Sequence, residues 1–94
     1  MKTVIWKAQL AEGKQEEFTK TYEMFKEAKG FVSAEFFHLT DEDSTIIVVE
    51  SWESEELQMQ FMWSLNHDDM NNLFSLLASK PEAWNCEIGE KIVK

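Results

Sequence analysis

Four stretches of the chain have the pattern of β-strands, either side chains that sort onto two faces with a period of two residues or, in the third stretch, a run of β-branched residues. These stretches span residues 2–10, 31–39, 45–53 and 83–93. The first is the clearest, because an apolar side chain stands at every second position from Val4 to Leu10. A short polar link, residues 40–44, joins the second stretch to the third and predicts an antiparallel hairpin.

A different period marks the segment between the first two predicted strands. Phe18, Tyr22 and Phe25 recur at intervals of four and three residues, which places them on one face of a helix over residues 14–29. Gly30 follows directly and is typical of a residue that ends a helix. The sequence therefore predicts one amphipathic helix that packs through its aromatic face.

The segment before the last predicted strand indicates a second helix that is broken in two. Ser54 can cap the first piece, which runs to about Leu65. The polar residues 66–68 interrupt the pattern, and an apolar face resumes over residues 69–79. Pro81 is typical of the chain just beyond a helix end.

The predicted order of elements is β-α-β-β-α-β, which is the ferredoxin-like arrangement of an α+β domain with a four-stranded antiparallel sheet. The 94 residues fit one domain, and no linker or repeat divides them. Bulky apolar side chains lie on both faces of the strands, for example Ile5 beside Trp6 and Phe37 beside Phe36. One helical layer covers only one face of a sheet, so we expect a homodimer in which a second sheet covers the other.

Charge and cysteine content narrow the classes of partner. The formal net charge is −9, from 18 acidic and 9 basic residues, and it disfavours phosphate backbones and anionic membrane surfaces because like charges repel. We therefore expect neither nucleic acid nor a membrane as a partner. Cys86 is the only cysteine in the sequence, so we expect no internal disulfide and no metal. With no stretch that resembles a signal peptide or a membrane span, the protein is predicted to be cytoplasmic.

A motif at the end of the third strand carries a family resemblance. In the segment Val49-Glu50-Ser51-Trp52-Glu53-Ser54-Glu55-Glu56-Leu57, a strand that ends in Glu-x-Trp leads into x-Ser-x-Glu at a helix start. Together with Glu12-Gly13-Lys14 before the first helix and Gly30 before the second strand, it resembles the antibiotic biosynthesis monooxygenase (ABM) family over nearly the whole chain. The resemblance implies a dimeric α/β barrel, in which two sheets face each other, with a ligand pocket between sheet and helices in each subunit.

The resemblance also implies a range of activities. Several members of the family oxidise phenolic or quinol-type aromatics with O2 and without metal or flavin, others degrade haem, and others have no known activity. The positions at which the haem-degrading branch has Asn, Trp and His fall on Trp6, Phe61 and Asn71. The resemblance therefore does not extend to haem degradation, and we expect a small aromatic ligand and no cofactor.

Two histidines are candidates for a catalytic base, because the pKa of imidazole lies close to neutral pH. His67 follows Ser64 near a place where ABM proteins often have a His, although a polar kink between two helical pieces explains it equally well. His38 lies near the end of the second strand, where a half-exposed strand residue is the simpler interpretation. Glu35 and Glu50 could also act as bases if they are buried, although carboxylates bonded to backbone or to a partner chain are the simpler interpretation.

Four aromatic residues are candidates for ligand binding. Trp6 occupies the strand position at which relatives place a functional residue, and Phe61 would oppose it from the second helix. Trp63 and Trp84 could stack on a flat aromatic ligand, although most tryptophans pack in cores and interfaces. We expect the site between the sheet and the broken helix, lined by Trp6, Phe61, His67 and His38.

Three functions stay open from the sequence, two of them principal. One is a cofactor-independent monooxygenase acting on a small electron-rich aromatic of the phenol or quinol type. The other is a non-catalytic homodimer that binds a small molecule or serves as a scaffold, because fold alone does not fix function. An isomerase or mutarotase with polar pocket walls is a third alternative. An enclosed apolar pocket that contains a histidine would favour the enzyme, and a layer filled by Trp6 and Phe61 themselves would favour the binding protein.

Overall fold

The alternating stretches form the strands of one sheet in the structure, a computed structural model that describes residues 1–42 and 44–94. The strands are β1 (Lys2–Gln9), β2 (Phe31–His38), β3 (Thr45–Trp52) and β4 (Glu82–Cys86). The α-helices are α1 (Gln15–Thr21), α2 (Glu55–Ser64) and α3 (His67–Ser75), and a 3₁₀ helix, Tyr22–Glu27, continues directly from α1. Asp43, part of the predicted polar link between β2 and β3, lies outside the described residues.

The sheet has the strand order β2-β3-β1-β4. β3 pairs antiparallel with both β2 and β1, so strands two and three form the predicted hairpin. β4 pairs antiparallel with the other side of β1. Order and directions are those of the ferredoxin-like fold, and the predicted α+β class with a four-stranded antiparallel sheet is confirmed.

One face of the sheet packs against the helices and forms the core. Its buried apolar side chains are Val4, Trp6, Ala8, Ile46, Val48 and Trp52. From the helical side, the core is covered by Phe18, Tyr22, Phe25, Leu73 and Leu76. This layer between sheet and helices is where the sequence predicts a ligand pocket.

The predicted continuous helix over residues 14–29 is wrong in its second half. After Thr21 the chain tightens into the 3₁₀ helix, in which residues three apart eclipse because each turn holds three residues. Tyr22 and Phe25 therefore stack, with ring centroids 4.3 Å apart and planes at 21°. An aromatic residue at every third or fourth position fits an α-helix and a 3₁₀ helix alike, so the hydrophobic period does not distinguish them.

The fourth strand is shorter than the predicted 83–93 and ends at Cys86. Cys86 pairs with Thr3 of β1. Since β1 begins at Lys2, almost no backbone remains to pair with residues beyond Cys86. Residues 87–94 accordingly have no regular secondary structure and are exposed.

Two side-chain caps define the broken second helix. Ser54 accepts a hydrogen bond from the backbone N–H of Leu57 at 3.2 Å, and Asn66 accepts one from the N–H of Asp69 at 2.8 Å. Each cap satisfies a backbone donor that the first helical turn leaves unpaired. The second piece therefore begins at His67, two residues before the predicted 69–79, and His67 belongs to the helix and not to the interruption.

The opposite face of the sheet is apolar and exposed in the single chain. Strand register places these outward side chains next to one another: Phe37, Ile47, Val49, Ile5 and Trp84. Phe37 is 47% exposed and Trp84 is 48% exposed, which is a large exposed fraction for aromatic side chains. The predicted second apolar face is therefore present.

Candidate functional site

A buried carboxyl group lies in the layer between the sheet and the helices. Glu50, on the inward face of β3, is only 6% exposed. Its Oε2 accepts hydrogen bonds from the indole N–H of Trp6 at 2.8 Å and from the hydroxyl of Tyr22 at 2.7 Å. Its Oε1 accepts one from the indole N–H of Trp52 at 3.1 Å. Three donors directed at two oxygens suit the ionised form, because an ionised carboxylate only accepts.

Strand register explains why these four side chains meet. Val4 of β1 pairs with Glu50 of β3, so Trp6, two residues further along β1, is the diagonal neighbour of Glu50 on the same face. Trp52 lies two residues further along β3 and therefore also on that face. Tyr22, the first residue of the 3₁₀ helix, completes the network from the helical side.

The network is electrostatically unusual, since an acidic group is buried among aromatic rings. Burying such a group costs free energy unless hydrogen bonds compensate, and three neutral donors do so here. Burial, reinforced by the charge of Glu50, raises the pKa of Tyr22 well above its ordinary value. Tyr22 therefore stays a neutral donor at physiological pH, and it is the only tyrosine in the sequence.

Aromatic rings fill the space around the carboxylate. A continuous series of ring contacts, with centroid separations of 6.1, 4.3 and 4.8 Å, joins Trp6, Tyr22, Phe25 and Phe61. Further edge-on and tilted contacts come from Phe18, Phe31, Phe36 and Trp52. The layer in which the sequence predicts an apolar pocket is thus occupied by the protein's own rings.

One surface cleft reaches this network. It has a volume of about 400 Å³ and lies between the 3₁₀ helix and the start of β2. Its lining residues are Tyr22, Lys26, Phe31, Val32, Ser33 and Ala34. Tyr22 both lines the cleft and donates to Glu50, and Ala34 is the register partner of Glu50 on β2. A tyrosine ring and a methyl group therefore lie between this cleft and the buried carboxylate.

The backbone is irregular on both sides of the same cleft. On the strand side the register shifts between Phe31 and Ser33, so that Val32 is the extra residue of a β-bulge. On the helical side lies the 3₁₀ helix, whose hydrogen-bond geometry is poorer than that of an α-helix. Bulges are over-represented next to active sites, whereas a 3₁₀ turn at the end of an α-helix is common in general.

A second cleft, of about 340 Å³, lies between the end of the 3₁₀ helix and α2. Met24 and Ala28 line one side, and Leu57 and Phe61 line the other. Phe61 also packs on Trp52, with centroids 5.5 Å apart. This second cleft therefore ends on the same aromatic layer, at the ring that the sequence predicts to contact a ligand.

Comparison with protein families identifies the chain. The sequence profile of the family described as "antibiotic biosynthesis monooxygenase" matches residues 1–72, which is well over half of the chain. The protein belongs to the ABM family. The resemblance seen in the segment around Glu50 and Trp52 is thereby confirmed. A comparison with curated proteins gives no match.

Solved structures agree with the ABM assignment at the level of the fold. A monooxygenase of Streptomyces coelicolor in complex with nanaomycin D has a TM-score of 0.80 and 19% identity, covering 99% of this chain and 91% of that one. A cofactor-independent oxygenase of Streptomyces nogalater has a TM-score of 0.79 and 14% identity, covering 99% and 97%. A conserved protein of Methanosarcina mazei has a TM-score of 0.74 and 19% identity, covering 90% and 89%. At such low identities the likeness shows the fold alone.

Within this ABM domain, the four predicted ligand-binding residues lie in different surroundings. Trp6 is buried and bonded to Glu50, while Phe61 is half-buried and separated from Trp6 by two other rings of the series, so the two do not oppose each other directly. Trp63 is 75% exposed on α2. Trp84 pairs with Ile5 and therefore lies on the sheet face that points away from the helices. Of the four, only Trp6 and Phe61 belong to the aromatic layer.

The two predicted catalytic histidines lie outside that layer. His67, the first residue of α3, and His38, the last residue of β2, are both exposed. Neither lines the two clefts described above. Their role as a base stays a prediction, and of the two carboxylates named from the sequence only Glu50 meets the condition of burial.

The two carboxylates singled out from the sequence differ from each other. Glu35 is exposed on the outward face of β2. For Glu50, the interpretation as a carboxylate bonded to backbone or to a partner chain is wrong, because its hydrogen bonds come from three side chains of its own core. Sequence reasoning missed Tyr22 as a site residue, since the aromatic period assigns it simply to the packed face of a helix.

Within residues 1–42 and 44–94, no three His, Cys, Asp or Glu side chains are grouped so that they could hold a metal ion. The helices of this part also lack the length and hydropathy that a membrane span needs. Cys86 is a free, half-buried thiol on β4.

Proposed function

We propose that this ABM protein is a cofactor-independent monooxygenase that acts on a small electron-rich aromatic bearing a phenolic hydroxyl group. The observation that carries the proposal is the buried Glu50 carboxylate, held by three donors within a layer of aromatic rings. Such a layer favours an aromatic substrate and excludes water, and a base within it can remove a phenolic proton. Family membership supports the same class of reaction.

In the proposed reaction, a base of the protein removes the phenolic proton, and the electron-rich phenolate then reduces O2 directly. For a phenol with an unsubstituted ring carbon opposite the hydroxyl, the C–H bond at that carbon breaks and a C=O bond forms. One oxygen atom of O2 becomes the new carbonyl oxygen and the other leaves as water. Phenol and O2 thus give a quinone and water, and the substrate supplies all four electrons.

Oxygen consumption tests this function. The purified, chelator-treated protein is offered a panel of hydroquinones, naphthols and anthrones in an oxygen electrode. We expect at least one compound to be oxidised faster than in the absence of protein, in proportion to protein concentration. A rate equal to the protein-free rate for the whole panel would contradict the proposal.

Which residue acts as the base is a separate question, and the candidates are His67, His38 and Glu50. Removal of a general base lowers turnover by ~10²–10⁴-fold, whereas removal of an exposed bystander leaves turnover unchanged. Single His67→Ala and His38→Ala variants therefore decide the role of each histidine. Both side chains are exposed, so their replacement should leave the fold intact and the kinetic result easy to interpret.

One observation favours a second candidate function, a non-catalytic homodimer that binds a small molecule or serves as a scaffold. The aromatic layer is filled by the protein's own rings, among them Trp6 and Phe61. In that case the Glu50 network only stabilises the fold. Binding of an aromatic compound without any oxygen consumption would identify this function.

We also propose that the working form is a homodimer in which two sheets face each other. The supporting feature is the apolar part of the outward face around Val49, which pairs with Ile5 and through it with Trp84. On the β2 side Val49 pairs with the exposed Glu35, and Phe37 pairs with the neighbouring Ile47. Contiguous exposed apolar patches of this kind are rare on monomers. Sedimentation at micromolar concentration should give the mass of a dimer, and Val49→Glu, which places a charge at the centre of the face, should give a monomer. A wild-type monomer would refute the pairing.

A further inference from the structure

We propose that Glu50 is the proton acceptor of this site and that the hydroxyl of Tyr22 occupies, in this structure, the place of the substrate's phenolic hydroxyl. The substrate reaches that place from the cleft beside β2 when Tyr22 moves aside. The inference rests on the proposed function for its chemistry. The binding that it predicts can nevertheless be measured without turnover.

The first argument is chemical identity. The side chain of Tyr22 is itself a phenol, and its hydroxyl donates to Oε2 of Glu50 at 2.7 Å, a typical length for a hydrogen bond from a hydroxyl to a carboxylate. Its ring is sandwiched in the aromatic series, 6.1 Å from Trp6 and 4.3 Å from Phe25. A phenolic substrate in the same place would find the same acceptor and the same ring neighbours.

The second argument is access. Tyr22 lines the cleft of about 400 Å³, a volume within the range of small-molecule sites. Ala34, the register partner of Glu50, lines the same cleft, so only a small side chain stands on the strand side of the path. Once Tyr22 has moved, this cleft and the carboxylate belong to one continuous space.

The third argument is that Tyr22 lies where the backbone on both sides of the cleft is irregular. It begins the 3₁₀ helix, at the point where the regular hydrogen bonds of α1 end. The hydrogen bonds of a 3₁₀ helix have poorer geometry than those of an α-helix, so this turn is the weaker part of the helical segment. The facing strand carries the β-bulge at Val32, so both walls of the cleft depart from regular backbone geometry.

The proposed proton step is simple. The phenolic O–H bond of the substrate breaks and its proton passes to Oε2 of Glu50, so the phenolate forms beside a neutral carboxylic acid and not beside the ionised carboxylate. Burial, reinforced by the charge of that ionised carboxylate, is what raises the pKa of Tyr22. The indole N–H groups of Trp6 and Trp52 hold the carboxyl group in place throughout. A ligand without a hydroxyl donor would displace Tyr22 and leave a buried acceptor unpaired, so the site should select phenols over their ethers.

The test compares the binding of a naphthol and of its methyl ether to the wild-type protein. Calorimetry measures both affinities, and NMR of the single tyrosine reports on the site. We expect the naphthol to bind ~10–100-fold more tightly, as one hydrogen bond to a charged group allows, and its binding to shift the ring signals of Tyr22. Tyr22→Phe removes the competing hydroxyl and should bind the naphthol more tightly than wild type does. Glu50→Gln should abolish the preference, and Glu53→Gln, an exposed neighbour at the strand end, should leave it unchanged.

The outcomes separate this inference from the proposed function. Equal affinities for naphthol and ether, or a Tyr22 signal unmoved at saturation, would overturn the inference even if the protein consumes oxygen. A preference for the naphthol that depends on Glu50, without oxygen consumption by any compound of the panel, would support the site and contradict the oxygenase. If Glu50→Gln does not fold, the inference is tested by the other two results, the preference of the wild-type protein for the naphthol and the tighter binding of the naphthol by Tyr22→Phe.

Discussion

The Glu50 network should contribute strongly to stability, and Glu50→Gln tests this. Glutamine has one acceptor oxygen and one amide group where glutamate has two acceptors. With its oxygen toward Trp6 and Tyr22, its amide N–H2 faces the indole N–H of Trp52, so two donors meet. One buried donor then stays unpaired, which lowers the free energy of unfolding by about 1–3 kcal/mol. The remaining two hydrogen bonds lose their charge assistance.

Together these losses predict a decrease of about 3 kcal/mol in the free energy of unfolding. For a domain of this size the melting temperature should fall by roughly 10–25 °C. Calorimetry at one fixed protein concentration measures this, because the melting temperature of a dimer depends on concentration. The exposed control Glu53→Gln should change stability by less than about 0.5 kcal/mol. A loss below about 1 kcal/mol for Glu50→Gln would refute the reasoning.

Three further predictions concern the buried tyrosine, two glycines with positive φ and the cap of α3. Because the pKa of Tyr22 is raised in the folded chain, the contribution of this tyrosine to the free energy of unfolding should be constant below about pH 10 and fall above it by about 1.4 kcal/mol per pH unit. Phenolate absorbance should appear only with unfolding. Its appearance near pH 10 in a folded protein would contradict the burial. Gly30→Ala should lower the free energy of unfolding, measured in urea, by about 2–4 kcal/mol, because Gly30 has φ +89° and a Cβ there would lie 2.6 Å from atoms of Leu57. Gly13→Ala, with φ +74° and open space around it, should lower it by about 1 kcal/mol. Equal losses for the two variants would refute the steric argument. Asn66→Ala removes the side-chain cap of α3, so it should lower the free energy of unfolding by about 1 kcal/mol and increase hydrogen exchange in the first turn of that helix. Unchanged exchange in this turn would contradict the role of the cap.

Element order and strand directions could be predicted from the sequence because alternation is a local signal. Each strand carries its own period of two, and the hairpin between β2 and β3 follows from a short link. The end of β4 could not be predicted in this way. It depends on where β1 begins, a neighbour about 80 residues away along the chain. The 3₁₀ helix escaped prediction because its aromatic spacing is compatible with both helix types.

The candidate site was only partly predictable, for a similar reason. The Glu-x-Trp motif brought Glu50 and Trp52 to attention, and Trp6 stood out by its strand position. The hydrogen bonds that join them cross from β3 to β1 and to the 3₁₀ helix, over sequence separations of 44 and 28 residues. An acidic residue at an inward strand position, between Val48 and Trp52, was the available signal. Its three donors emerge only from the packing.

Oxidation of a naphthol under isotopically labelled O2 tests the central claim most directly. The chelator-treated protein is mixed with a naphthol that is unsubstituted opposite its hydroxyl, and the quinone product is analysed by mass spectrometry. Direct reaction of a bound phenolate with O2 predicts one labelled oxygen atom in each quinone molecule, formed faster than without protein and much more slowly with Glu50→Gln. A quinone without label, or a rate no higher than in protein-free buffer, would contradict the account.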